Sequence, residues 1–170
     1  SPIVFAIDES GSMKGMRDIY AKAFALGVAA IARRQRRPFV IEHYSSAVMR
    51  EDVFDGTWNV GQILDAMRHF ADGGTDTAHA LRRCADVVEL MTAKGQHADV
   101  VLLTDGMSAT DCKDAADRVR AAGGRVITVI IDSSGDVASA KTFSDALTSI
   151  DGASIRGEDI APGAAVCGTL

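Results

Sequence analysis

The stretch Ile3-Val4-Phe5-Ala6-Ile7-Asp8-Glu9-Ser10-Gly11-Ser12 decides how the rest of the chain is read. Its first five residues form a continuous apolar run, the pattern of a β-strand covered on both faces. Asp8, Ser10 and Ser12 then put one carboxylate and two hydroxyls, at alternate positions, on the turn where that strand ends. Hard oxygen donors of this kind suit a divalent cation such as Mg²⁺. Two later segments, Gly73-Gly74-Thr75-Asp76 and Thr104-Asp105-Gly106, offer the oxygens needed to complete such a site.

Outward from this stretch, strand-like and helix-like patterns alternate. Apolar residues at helical spacing from Met16 to Arg36 predict a long helix, which Pro38 ends. Phe39 to Tyr44 reads as a second strand and Ala47 to Arg50 as a short third. Val60, Ile63, Leu64, Met67 and Phe70 make a helical stripe that Asp72-Gly73-Gly74 breaks. A helix from Ala78 to Thr92 leads to a central strand over Asp99 to Thr104. Lys113 to Ala122 reads as a short helix closed by Gly123-Gly124, and Arg125 to Ile131 as another buried strand. The spacing then predicts a helix over Val137 to Ile150 and an edge strand over Ala153 to Arg156. The sum is an α/β fold: a doubly wound, mostly parallel six-stranded sheet with helices on both faces, Rossmann-like in layout. In the order 3-2-1-4-5-6 the first and fourth strands are neighbours, and ligands bind beyond their carboxyl ends. Asp8 and Asp105 follow those two strands, so this topology brings them into one crevice.

Length and composition bound the function. The 170 residues fit a single domain, 1–170, with a real core, and 47% hydrophobic against 24% charged residues is an ordinary globular balance. A net charge of −5 gives no basic field to draw nucleic acid. The one dense basic run, Arg33-Arg34-Gln35-Arg36-Arg37, reads as cations at a helix C-terminus. No apolar stretch approaches the roughly 20 residues that span a bilayer. Three cysteines, Cys84, Cys112 and Cys167, are an odd number without a C-x-x-C pair, which points to small packed thiols in a reducing, cytoplasmic setting. The direct entry into a strand after Ser1-Pro2 and the Gly-rich end from Gly163 to Leu170 read as a piece of a longer protein.

Asp8 and Asp105 would balance one divalent cation, while Ser10, Ser12 and Thr75 would add neutral hydroxyls. Mg²⁺ takes about six oxygens, so this set leaves room for one more anionic oxygen from a partner's Glu or Asp. Here the residues resemble a known family. Asp-x-Ser-x-Ser (Asp8 to Ser12), Thr75 in Gly-Gly-Thr-Asp and Asp105 in Thr-Asp-Gly are similar to the metal-ion-dependent adhesion site of von Willebrand factor type A (VWA) domains. The likeness runs from Ile3 to about Arg156. It implies that Asp8, Ser10, Ser12, Thr75 and Asp105 are the metal-site residues. It also implies Mg²⁺ as the ion (Mn²⁺ or Ca²⁺ as others) and a protein ligand gripped through an acidic side chain. Asp-Glu-Ser-Gly-Ser-Met before a long Ala-rich helix further resembles bacterial intracellular members that act as adaptors to MoxR-type AAA+ ATPases.

Each segment alone has a plainer reading: Ser12 as an N-cap, Thr75 or Asp76 as the cap of the next helix, Thr104-Asp105-Gly106 as a strand-ending turn. Their joint occurrence at one predicted crevice favours the site. Glu9 and Asp76 are expected to face solvent or pair locally, and Asp72 to shape its loop. His43, near the carboxyl end of the second strand, reads as a packed or surface residue, and His69, His79 and His97 as scattered histidines without metal spacing. An enzyme would be the alternative, a Mg²⁺-dependent phosphotransferase or hydrolase using Asp8. Against it, position 10 is Ser rather than Asp, neither serine has an evident His base, and no phosphate-binding Gly-rich run follows the first strand.

Overall fold

The computed structural model describes residues 1–106, 111–132 and 137–150. Its sheet has six strands in the order β3-β2-β1-β4-β5-β6, formed by β1 (Ile3–Asp8), β2 (Phe39–Tyr44), β3 (Val48–Phe54), β4 (Asp99–Thr104), β5 (Val126–Ile131) and β6 (Ala146–Ile150). All neighbours pair in parallel except β2 with β3. This is the doubly wound order expected from the sequence, with β1 and β4 side by side at the switch point.

The β1 side chains alternate between two cores. Ile3, Phe5 and Ile7 pack against α1 (Met16–Arg34) and α2 (Val60–Arg68), while Val4 and Ala6 face α3 (Thr77–Ala93) and α4 (Lys113–Ala121). Each of these five residues is fully buried, an apolar burial of about 1.5–3 kcal/mol for each larger side chain. The inner face of α1 is built from Ala21, Ala25, Ala29 and Ala32 around Val28, small side chains that let the helix lie close to the sheet. Asn59 and Gln62 form a reciprocal capping box at the start of α2. Behind α4, Gly123 (φ +85°) turns the chain, and a Cβ on Gly124 would sit 2.2 Å from the Ala98 carbonyl oxygen.

Two elements differ from the sequence reading. The helix expected over Val137 to Ile150 is only α5 (Val137–Lys141), and Ala146–Ile150 is the sixth strand. Ala140, Ala146, Leu147 and Ile150 recur near helical spacing, but Asp145 breaks the run. Its carboxylate accepts from Val126 N and Arg120 Nε and its N–H bonds to the Val126 carbonyl, which seats the next residues beside β5. The strand β3 also runs four residues past Arg50, because Arg50 and Asp52 pair on one face and Glu51 meets Arg83 on the other. The strand expected over Ala153 to Arg156 lies outside the described residues.

Candidate metal centre

Three loops meet beyond the carboxyl ends of β1 and β4. The first, after β1, carries Ser10 and Ser12 and passes through a short 3-10 turn, Gly11–Met13. The second carries Thr75 and leads into α3; the third starts at Asp105. Gly11 N donates to the Gly73 carbonyl at 2.9 Å, stitching the first two loops together. A Cβ on Gly11 would meet Asp72 Oδ1 at 3.1 Å, so glycine allows the approach. Asp76 caps α3 by accepting from His79 N, one of the plain readings of that acid.

The parallel register sets Asp8 beside Thr104, whose hydroxyl donates to Asp8 Oδ2 at 2.7 Å. Asp8 Oδ1 accepts from Ser10 N at 3.0 Å. The Ser10 and Ser12 hydroxyls lie 3.2 Å apart. Asp8 and Ser10 are fully buried and Asp105 is almost so, whereas Thr75 is half-buried and Ser12 exposed. Burial pushes the Asp8 carboxyl up, the bonds from Ser10 and Thr104 pull it part of the way back, and the Asp105 charge adds to the rise. Among the described residues the crevice therefore gathers two buried acids and neighbouring hydroxyls, all oxygen donors. That chemistry fits a hard cation. Both Asp8 oxygens accept hydrogen bonds from within the fold, and each keeps a second lone pair for a cation or for a water on it.

The structure assigns Arg17 and Asp132 to this crevice as well, which the sequence reading overlooked. Arg17 Nη1 donates to Asp105 Oδ2 at 3.3 Å and to the Ser12 carbonyl at 3.0 Å; Arg17 Nε and Nη2 donate to Asp132 Oδ2 at 3.2 and 3.1 Å. Asp132 is an acid directly after a buried strand, the signal that marked Asp8 and Asp105. Nothing in the sequence around Arg17 announces its role.

Glu9 departs from expectation more sharply. It is fully buried rather than solvent-facing and gathers His43 together with His69, one of the histidines read as scattered. His43 Nδ1 and His69 Nδ1 each stand 2.7 Å from a Glu9 oxygen, Ala71 N donates to Oε2 at 3.0 Å, and Lys22 Nζ lies 3.6 Å from Oε1. Lys22 in turn donates to Asp18 and to the His69 carbonyl. Burial acts to raise the Glu9 carboxyl, but the hydrogen bond from His43 and the charges of His43, Lys22 and His69 hold it below its usual value. Glu9, His43 and His69 offer one ligand atom each within 4.8 Å of one another, a set that could hold an ion. The 2.7 Å contacts are hydrogen-bond distances, which need an N–H on each ring nitrogen because a carboxylate only accepts. With the Lys22 ammonium alongside, the cluster already has its cation. It works as an anchor: it ties the turn after β1 to β2, to α1 and to the segment after α2.

No helix among the described residues is long and apolar enough to cross a membrane. Cys84 and Cys112 are buried, as expected of packed cysteines; Cys167 lies outside the described residues.

Comparison with known proteins agrees with the architecture. Over 107 residues, 62% of this chain, the sequence is 34% identical to the uncharacterized protein MJ0811 of Methanocaldococcus jannaschii; the match spans 24% of that protein's length. Among solved structures, proximal thread matrix protein 1 from the mussel byssus superposes with a TM-score of 0.67 at 15% identity, covering 88% of this chain and 43% of that one. The SpRpn10 VWA domain gives 0.60 at 13% identity, covering 89% and 87%. A von Willebrand factor type A protein from Catenulispora acidiphila gives 0.59 at 20% identity, covering 89% and 38%. These three likenesses speak to the fold. The family model of the von Willebrand factor type A domain matches residues 3–108, most of the chain, a span that includes β1, β4 and Thr75. This chain therefore belongs to the von Willebrand factor type A domain family, whose members are in general metal-dependent adhesion and protein-interaction modules.

Proposed function

We propose that this domain binds another protein through a divalent cation held by Asp8, Ser10, Ser12, Thr75 and Asp105. The hydroxyls of Ser10, Ser12 and Thr75 hold the ion, and Asp8 and Asp105 supply two negative charges. Bound there, Mg²⁺ supplies an acceptor for the partner's Glu or Asp, because hydroxyl ligands leave much of its charge unquenched. The observation that carries this reading is the burial of Asp8 and Asp105 in one crevice lined by the paired Ser10 and Ser12 hydroxyls. Arg17, the cation beside Asp105, is shared with Asp132, so the acids gathered here exceed its one charge.

The partner class we favour is a MoxR-type AAA+ ATPase, with this domain as its adaptor in the cytoplasm. A non-catalytic role is supported by the residue types: position 10 is Ser rather than Asp, and no phosphate-binding Gly-rich run follows β1. The test is capture of such an ATPase by the domain. Binding is expected to require Mg²⁺, to vanish on chelation, and to be lost in the Ser10→Ala/Ser12→Ala variant and on replacing the partner's acid by Ala. Binding that survives chelation sinks the reading, as does phosphatase turnover abolished by Asp8→Ala.

A further inference from the structure

We propose that Arg17 is a tethered cation that competes with the divalent ion for Asp105, and so sets how tightly the site is loaded; this rests on the metal reading above. Asp105 is almost fully buried, so its charge requires a positive neighbour. Arg17 provides one from the first turn of α1. Its guanidinium is held at three points: two N–H groups reach Asp132 Oδ2, and Nη1 reaches the Ser12 carbonyl and Asp105. The Asp105 contact, 3.3 Å, is the longest of the four. It is also the one that a divalent cation at Asp105 opposes directly, since two positive charges on one carboxylate repel.

The Asp132 contacts do not depend on Asp105. The guanidinium can therefore release Asp105 while staying anchored at the end of β5, and its side chain, 29% exposed, has water to turn into. Loading the site would then shift Arg17 toward Asp132 and tighten the bridge between α1 and β5. Without the ion, the same arginine keeps Asp105 compensated, which lets the crevice persist with a buried acid in it.

The experiment is Mn²⁺ titration by calorimetry, with the folded state of each variant checked by its thermal transition. Arg17→Gln is expected to bind Mn²⁺ on the order of tenfold more tightly than the parent. Arg17→Lys keeps the charge on the same turn but cannot span Asp105, Ser12 and Asp132 with one fork. It is expected to bind severalfold more tightly, and it carries the test alone if Arg17→Gln does not fold. Lys14→Gln removes a neighbouring cation that pairs with Asp72 instead, and is expected to leave the affinity unchanged. Equal tightening by Lys14→Gln and Arg17→Gln would reduce the effect to a general charge field and overturn the proposal. So would unchanged or weaker binding in both Arg17 variants. If the parent itself binds no Mn²⁺, the metal reading fails first, and this inference falls with it.

Discussion

Replacing Glu42 by Gln should make this protein more stable in mild alkali while leaving it little changed in acid. Glu42 sits in the middle of β2, fully buried, directly across the strand pair from Glu51. Neither of its oxygens receives a hydrogen bond. The nearest cation, Arg83, stays 3.7 Å away and spends its close contact, 2.6 Å, on Glu51. Two acceptor-only carboxylates facing each other need a proton between them. Burial first, and then Glu51, push the Glu42 carboxyl up to about 8 from its usual 4.5. Burial acts the same way on Glu51, but the bonds from Glu42 and Arg83 outweigh it and hold that carboxyl below its usual value. The folded pair therefore keeps a proton that the unfolded chain gives up near pH 4.5. Stability from this group is fully present below that pH and is lost as pH rises through about 8. At about 1.4 kcal/mol per pH unit, the interval bounds the loss at about 5 kcal/mol. Glu51, held low, is ionised in both states above its usual 4.5, so it adds nothing to the change at higher pH. Urea unfolding of the parent and Glu42→Gln at pH 5, 7 and 8.5 measures it, and subtraction cancels the groups the two proteins share. The difference should swing toward Gln by up to about 4 kcal/mol between pH 5 and 8.5, at about 1.4 kcal/mol for each pH unit from 5 to 8. A difference flat with pH would refute the shared proton.

Two further outcomes follow from packing and charge. Glu9→Gln leaves Lys22 and the two histidines without their common anion, and should cost about 3 kcal/mol in urea unfolding; a loss under about 1 kcal/mol would mean the cluster is not held by charge. Gly124→Ala should cost about 2 kcal/mol or more, since the added Cβ would lie 2.2 Å from a backbone carbonyl oxygen; a variant with the parent's transition midpoint would contradict that contact.

Much of this molecule can be read from its sequence, for physical reasons. Strands β1, β4 and β5 are continuous apolar runs ended by an acid, a pattern that only a doubly covered parallel strand produces so plainly. Their order alone sets Asp8 and Asp105 at the ends of neighbouring strands. What escaped the reading was set by partners distant in sequence. Glu9 carries a charge and is expected to face solvent or pair locally, but His43, His69 and Lys22, none nearer than 13 residues, compensate it inside. Arg17 looks like any helix arginine until Asp132 arrives 115 positions later. The strand β6 mimicked a helix because its apolar residues continue the spacing of α5. The edge strand β3 looked polar because its charges are paired with Arg83 on α3 and Asp65 on α2.

The central claim is that distant loops hold one hard cation together. Crystals grown with Mn²⁺ and measured at its absorption edge test it most directly. The account predicts a single anomalous peak at about 2.0–2.3 Å from the hydroxyls of Ser10, Ser12 and Thr75, close to Asp8 and Asp105. A peak among Glu9, His43 and His69, or no bound Mn²⁺ at millimolar concentration, would contradict it.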